Sequence, residues 1–279
     1  MVLAIDNVGN EFDFEIASKR CYSYIQDAMT VFSAFNVKTV WFAMLGDMIN
    51  SDRRPEEMIM KATSRANAYF IAVELIEQMI LQLNTKYNVY VSGVSGNESR
   101  FDIDYSSSNI KLQDNFDYMI YQQMKIDFED KSGIEFLDIN IKGEVINFFG
   151  KRILVQHGMT LKSNDSQKEI QMQNGKWTFK GQPFDYMLTG HFHSTKITDL
   201  YSRNSSVVGG NSYSDDGLNL FSKAAQNIHL VNPKFIHSMK IDLQDNFDDN
   251  HYSYRKSLEA YDRKSLDKLK QPKKIIEIY

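Results

Sequence analysis

The sequence predicts a layered α/β fold. Two patterns point to it. Helical apolar spacing alternates with short strand-like apolar runs through the first half of the chain, and the second half is mostly strand-like. A third observation concerns function. Four hydrophobic runs end in residues able to bind metal: Leu45-Gly46-Asp47-Met48-Ile49-Asn50, Ser95-Gly96-Asn97-Glu98-Ser99-Arg100, Val155-Gln156-His157-Gly158 and Thr189-Gly190-His191-Phe192-His193.

Taken in order, Val2–Ile5 is a short apolar run that ends at Asp6. Phe14 to about Phe35 has helical spacing through Ile16, Tyr22, Ile25, Met29 and Phe32. Val37–Leu45 is apolar, β-branched and aromatic, as in a buried strand. The polar loop Asn50–Arg54 leads to Pro55, which suits a first helical turn, and Glu56 and Glu57 suit its positive end. That helix is expected to run to about Leu83, with Tyr87–Val94 as the next strand. Asn115–Phe128 reads as a helix, followed by strands Ile134–Asp138, Gly143–Phe149 and Arg152–Gln156. Ser163–Trp177 is a polar loop with a short helix. Strands are expected at Phe184–Thr189, Ile197–Tyr201, Ser206–Val208, Asn227–Val231 and Phe235–Ile241. The chain shows no internal repeat. Residues 1–243 read as one domain and 244–279 as a charged arm or tail, in which Ile275–Tyr279 alternates like an edge strand.

Composition limits the function classes. With 279 residues and 42% hydrophobic content, the chain can bury a sizeable core. No run approaches the roughly 18–20 apolar residues of a membrane span, so no membrane role is expected. There is no basic-then-apolar leader. The single cysteine, Cys21, cannot form an internal disulfide and reads as a buried helix residue in a reducing, cytoplasmic setting. A net charge of −4 gives no support for tight non-specific nucleic-acid binding. It does not oppose a nuclease, because bound cations would supply local positive charge.

The four run ends carry the chemistry. Ligands in open α/β sheets gather outside the carboxyl ends of strands. Asp47 lies there after Trp41–Leu45, beside Gly46, where the backbone can approach closely. Asn97 offers a neutral oxygen ligand and Glu98 a carboxylate, although a Gly-Asn turn is common on its own. His157 ends one strand. His191 and His193, alternate residues on extended chain, would point to one side, and imidazole is a frequent transition-metal ligand. His229, His237 and His251 lack such a setting and read as structural or exposed. Arg100 is a candidate phosphate contact through its guanidinium fork, with Arg53 and Arg54 as weaker ones.

The order and spacing of these runs resemble the calcineurin-like metallophosphoesterase family, with Gly-Asp-x-x-Asn, a Gly-Asn turn, His-Gly and Gly-His-x-His across residues 36–212. Residues 10–20 and 94–100 look like a bacteriophage-encoded branch of it. The resemblance implies a β-sandwich flanked by helices around a two-metal site. Asp47 would bridge the metals, Asn97, His157 and His191 would complete one site, and His193 would ligate the other. Two such metals, ~3.5–4 Å apart, activate water and stabilise a leaving oxygen. The expected cofactor is one or two divalent ions: manganese first, zinc or iron as alternatives.

Two positions depart from the family. Its first strand carries Asp-x-His, whereas here Asp6 is followed two residues on by Val8. The first strand is therefore degenerate or missing, and the position of residues 10–20 favours a strand upstream of Met1. Glu98 stands where the family has a catalytic histidine, as a general acid, a metal ligand or a mark of lost activity. The expected function is a metal-dependent phosphoesterase, with nucleic acid among its candidate substrates and the host cytoplasm as its place if phage-encoded. The alternatives are a catalytically impaired binding or assembly module and a small-nucleotide phosphodiesterase.

Overall fold

The computed structural model describes residues 5–7, 10–53, 55, 58, 60–101, 113–138, 140–161, 166–210, 222–247 and 249–259. It is a mixed α/β structure whose sheets are flanked by helices. A hairpin of β1 (Ile5–Asn7) and β2 (Asn10–Phe12) precedes α1 (Phe14–Ala34). Asp13 caps α1 by accepting the Ile16 N–H at 2.8 Å. The helix buries Ala17, Cys21, Ile25, Ala28 and Phe32, one stripe at helical spacing. Burial pushes the Cys21 thiol up to about 12, so the side chain packs as an apolar group.

Strand β3 (Thr39–Met44) begins the first sheet. Helix α2 (Arg65–Asn84) leads to β4 (Asn88–Gly93), and α3 (Phe116–Asp127) leads to β5 (Ile134–Phe136). The three strands are parallel, in the order β3-β4-β5. Ile71, Ala72, Leu75 and Ile80 of α2 are fully buried, which makes this helix the centre of the main core.

The second sheet runs β6 (Glu144–Phe148), β7 (Lys151–Gln156), β8 (Tyr186–Thr189), β10 (Tyr201–Arg203) and β9 (Lys196–Ile197), with α4 (Ser166–Phe179) joining β7 to β8. Strands β7, β8 and β10 are parallel, so the segments after β7 and β8 emerge at one end. Hairpin β11 (Ala225–Val231) and β12 (Ile236–Asp242) closes the fold.

Several expected elements differ. Pro55 and Met58 are helical as expected, but the helix does not run on to Leu83: residues 60–64 are not helical, and a new helix starts at Arg65, capped by Ser64. Arg54, Glu56 and Glu57 lie outside the described residues. Residues 166–179 form a 14-residue helix rather than a loop with a short one. The single strand expected at Ile197–Tyr201 is two strands, split where the Thr198 hydroxyl accepts the N–H groups of Leu200 and Tyr201. Residues 206–208 are not a strand, and the carbonyls of Val207 and Val208 instead accept from Arg20. Asp6 lies in the β1–β2 hairpin and not in the sheet of β3. The segment read as a charged arm starts packed on the core: Tyr252 is buried, and its carbonyl accepts the Ser18 hydroxyl at 2.6 Å. Residues 260–279 lie outside the described residues, Ile275–Tyr279 among them. No helix among the described residues is long and apolar enough to cross a membrane.

Arg20, 1% exposed, ties these parts together. Its guanidinium donates to the carbonyls of Val207 (3.0 Å), Val208 (2.9 Å), Glu11 (3.3 Å) and Gln244 (3.2 Å), and to Asn10 Oδ1 (3.2 Å). Burial lowers its pKa to about 10, against the nearby Asp245, Asp13 and Asp242 charges, so it stays a cation at neutral pH. Arg20→Met keeps the apolar stem and leaves these acceptors without their donor. Denaturant unfolding should show a loss of about 2–4 kcal/mol; a loss under about 0.5 kcal/mol would contradict this role.

Candidate metal centre

The site forms where β3, β4, β7 and β8 end. After β3 the chain turns sharply through Gly46 (φ 87°) and Asp47 (φ 59°), and after β8 through His191 (φ 67°). Left-handed backbone at a non-glycine residue costs on the order of 1–3 kcal/mol and collects at functional sites. Two of the four such residues described, Asp47 and His191, belong to this centre. Gly46 and Gly96 let the two loops touch. A Cβ on Gly46 would lie 2.5 Å from the Gly96 nitrogen, and one on Gly96 would lie 2.1 Å from Asp47 Oδ1.

One donor atom each from Asp47, His157 and His191 falls within a 4.8 Å group. His157 Nδ1 lies 2.7 Å from the Leu45 carbonyl, an acceptor, so this nitrogen carries the proton. The lone pair of the neutral ring is then on Nε2. That atom faces Asp47 Oδ2 at 3.0 Å, Asn97 Oδ1 at 3.1 Å and His191 Nδ1 at 3.2 Å. Asn97 turns its oxygen inward because its amide nitrogen donates to Glu98 Oε1 at 2.7 Å. Oxygen and nitrogen acceptors thus converge on one point with a cation as their natural complement. With protons alone, the cation is His157 itself. Burial opposes its charge, but the Asp47 carboxylate and the Leu45 carbonyl outweigh burial and raise its pKa to about 9. Burial likewise opposes the Asp47 charge, yet His157 and the Glu98 N–H (2.7 Å) hold that carboxyl at about 2. Burial and the neighbouring His157 charge lower His191 to about 4, so it is a neutral imidazole, the form that ligates metal. This mixed oxygen–nitrogen donor set fits a divalent ion.

The other candidates fall around this group. His193 is half-buried and, with Asp47, Asn97 and His191, lines a cavity of about 1300 Å³; it lies outside the three-residue cluster, and its carbonyl accepts the Ser205 hydroxyl at 2.6 Å. Glu98 is buried, and its carboxylate accepts from Ser51 Oγ at 2.5 Å and from Asn97. Arg100 is buried at 4% exposure and does not line the cavity; its carbonyl accepts from Arg65 at 2.6 Å. Arg53 is half-buried. His229 packs on Tyr186 and hydrogen-bonds Ser238, while His237 and His251 are exposed.

Three residues that the motif reading passed over position the site. Asp117, in the first turn of α3, accepts the N–H groups of Asp47 (2.8 Å), Met48 (2.9 Å) and Gly96 (2.8 Å). Burial and the Asp47 charge push its pKa up, against these donors. Asn115 caps the helix by accepting the Asp117 N–H and reaches the Gly96 carbonyl with its amide at 2.8 Å. The Asn-x-Asp spacing before an apolar run was the available signal, and it reads as a helix cap. Arg203 stacks on Phe192 and donates to the Ser194 carbonyl and hydroxyl, which orients the loop carrying His191 and His193.

No family model and no curated protein matches the chain. Among solved structures it is similar to zinc-complexed wild-type Vps29 from Entamoeba histolytica, at 12% identity over 74% of this chain and 98% of that one, TM-score 0.35. It is similar to a conserved uncharacterized protein from Streptococcus pneumoniae TIGR4, described as a predicted phosphoesterase, at 12% identity over 77% and 91%, TM-score 0.34. Vacuolar Protein Sorting 29 from Cryptosporidium parvum matches at 14% identity over 60% and 76%, TM-score 0.30.

Asp117→Asn should keep helical content by circular dichroism and weaken metal binding by about 10–100-fold in calorimetric titration; unchanged affinity would remove Asp117 from this role. The His157–Asp47 pair also fixes a pH dependence. His157 is raised from 6.5 to about 9, so its contribution is complete below pH 6.5 and lost as pH rises through 9. Asp47 is lowered from 3.8, so its contribution is complete above pH 3.8 and lost as pH falls through about 2. Chelator-treated protein should lose on the order of 2–3 kcal/mol between pH 6 and 9.5, read from unfolding curves. His157→Gln should flatten this decline.

Proposed function

We propose that the protein is a metal-dependent phosphoesterase. The observation that carries this reading is the convergence of Asp47, Asn97 and His191 on the Nε2 lone pair of His157, at the carboxyl ends of strands from two sheets. Asp47, His157 and His191 would hold a divalent ion, with the Asn97 oxygen beside them. Such an ion supplies electrophilic charge to a phosphoryl group and makes water more acidic.

The chain's own residues prepare the place. Leu45 fixes the His157 tautomer, and Glu98, through Asn97, keeps an oxygen turned inward. Asp117 holds the Asp47 and Gly96 loops in register. Loading the site displaces the His157 proton, so metal affinity rises with pH. Manganese is the first metal to test, then zinc and iron. The substrate class is a phosphoester open to both nucleic acid and small nucleotides. A place in a phage-infected host cytoplasm extends the same reading.

A second reading, a metal-binding module without turnover, draws on Glu98. Its two carboxylate oxygens accept from Ser51 and Asn97, so both are engaged by the protein rather than turned to a substrate. Hydrolysis of bis-p-nitrophenyl phosphate, a mononucleotide ester and single- and double-stranded DNA with added Mn²⁺ separates the readings. Turnover that falls at least about 10³-fold in Asp47→Ala is expected for the enzyme. Stoichiometric metal binding with no turnover on any substrate would establish the module instead.

A further inference from the structure

The metal centre stands at one end of a longer cavity. Asp47, Asn97, His191 and His193 share a space of about 1300 Å³ with residues of α1 and β3. On α1 the lining runs from Arg20 to the C-cap Phe35, about 22 Å of helix. On β3 every residue from Thr39 to Met44 takes part. The space is thus a channel along the whole of β3, from the Asp47 end to the Phe35 end. Its volume exceeds the roughly 300–1,000 Å³ of most small-molecule pockets.

The middle of the channel is apolar, lined by Ile25, Ala28 and Phe32 of α1, Trp41 of β3, and Ile228 and Leu230 of β11. Trp41 gives its indole N–H to Ser92 Oγ at 2.9 Å, which leaves only apolar ring for the channel. Charge lies elsewhere. Asp47, Glu98, His191, His193 and Arg203 gather at the metal end, where Arg203 holds the Ser194 loop. The Arg20 guanidinium is engaged by the carbonyls of Val207, Val208, Glu11 and Gln244. Burial lowers the His229 pKa to about 4 and keeps that ring neutral. Among the described lining residues, Lys38 alone adds a charge beyond these, at the far end. Three aromatic residues line that far end. Phe35 follows α1, Phe149 lies between β6 and β7, and Phe235 lies between β11 and β12; they are 59%, 53% and 39% exposed. The last two turns adjoin, since a Cβ on Gly150 would lie 3.6 Å from Pro233. Exposed large rings grouped around an opening form an apolar contact surface.

We propose that the channel takes the hydrocarbon chain of a phosphate ester, with the phosphate at the metal end and the chain running past Ala43 and Trp41 toward Phe149. This rests on the phosphoesterase reading for the head group and adds the class of alcohol that the phosphate carries. Size, charge and chemistry select this occupant. A nucleoside is a group of the size that ordinary pockets hold, and this channel is longer and larger. An oligonucleotide carries one charge per phosphate, and the middle of the channel offers no cation to meet a second phosphate. A hydrocarbon chain needs none, and each methylene removed from water favours binding. Hydrolysis would form one P–O bond from water and break the P–O bond to the chain. The chain leaves as an alcohol that carries one proton of that water, and the other proton stays with the phosphate.

Butyl phosphate and dodecyl phosphate, each below its micelle concentration and with Mn²⁺ present, test this on the full chain. Calorimetric affinity should be at least about 100-fold higher for the dodecyl ester. A gain under about threefold would overturn the proposal, and hydrolysis of both esters alongside it would leave the phosphoesterase reading intact. The full gain without hydrolysis of either ester would support the channel and count against the enzyme. Ala43→Phe puts a ring into the channel beyond the metal centre. It should cut dodecyl phosphate affinity at least about tenfold and leave butyl phosphate affinity within about twofold. Equal losses on the two esters would overturn the proposal. Should this variant not fold, Leu230→Asn, at a half-buried position of the wall, decides. It should shrink the dodecyl gain at least about fivefold, and an unchanged gain would overturn the proposal.

Discussion

The carboxylate of Asp117 is the constraint on which the centre depends. It accepts three backbone N–H groups from two loops that are far apart in the chain, two at Asp47 and Met48 and one at Gly96. These donors fix a left-handed turn at Asp47 that the residue would not adopt alone. Once the turn is made, one Asp47 oxygen meets the Glu98 N–H and the other points at His157. Each later contact of the site presupposes that geometry.

The electrostatics follow. A buried carboxylate and a buried imidazole each resist charging by themselves, and together they stabilise a shared cation. His191, close to the same point, is driven neutral by burial and by the charge on His157. The three groups therefore behave as one unit that holds a proton and, in the proposed function, would exchange it for a metal ion. This explains why strain at Asp47 and His191 is tolerated here, where the surrounding hydrogen bonds over-determine both turns.

The fold supplies the frame for this unit. Parallel strands in both sheets end on the same side, which brings loops from residues 45–50, 95–100, 157–158 and 190–194 to one end. Arg20 locks the N-terminal hairpin to residues 207–208 and 244. The cavity and the centre are thus two parts of one surface.

Much of this was legible in the chain itself. Apolar periodicity marked α1, the strands before Asp47, Asn97, His157 and His191, and the run ends where those residues stand, because periodicity reports burial directly. The break before Arg65 and the division of 197–201 were not legible, since each turns on a local side-chain cap that competes with the apolar pattern. Arg20 carried no usable signal, and the Asn-x-Asp spacing at Asp117 read only as a helix cap. A carboxylate in a helix's first turn and an arginine on a helix look alike whether they face water or bind the carbonyls and N–H groups of distant loops. The sequence alone determined which residue types stand at the strand ends. Only tertiary structure decided that Asp47, His157 and His191 meet in one group, with His193 beside it on the cavity wall and Arg100 off that wall, because those placements depend on turns and long-range hydrogen bonds that no local pattern encodes.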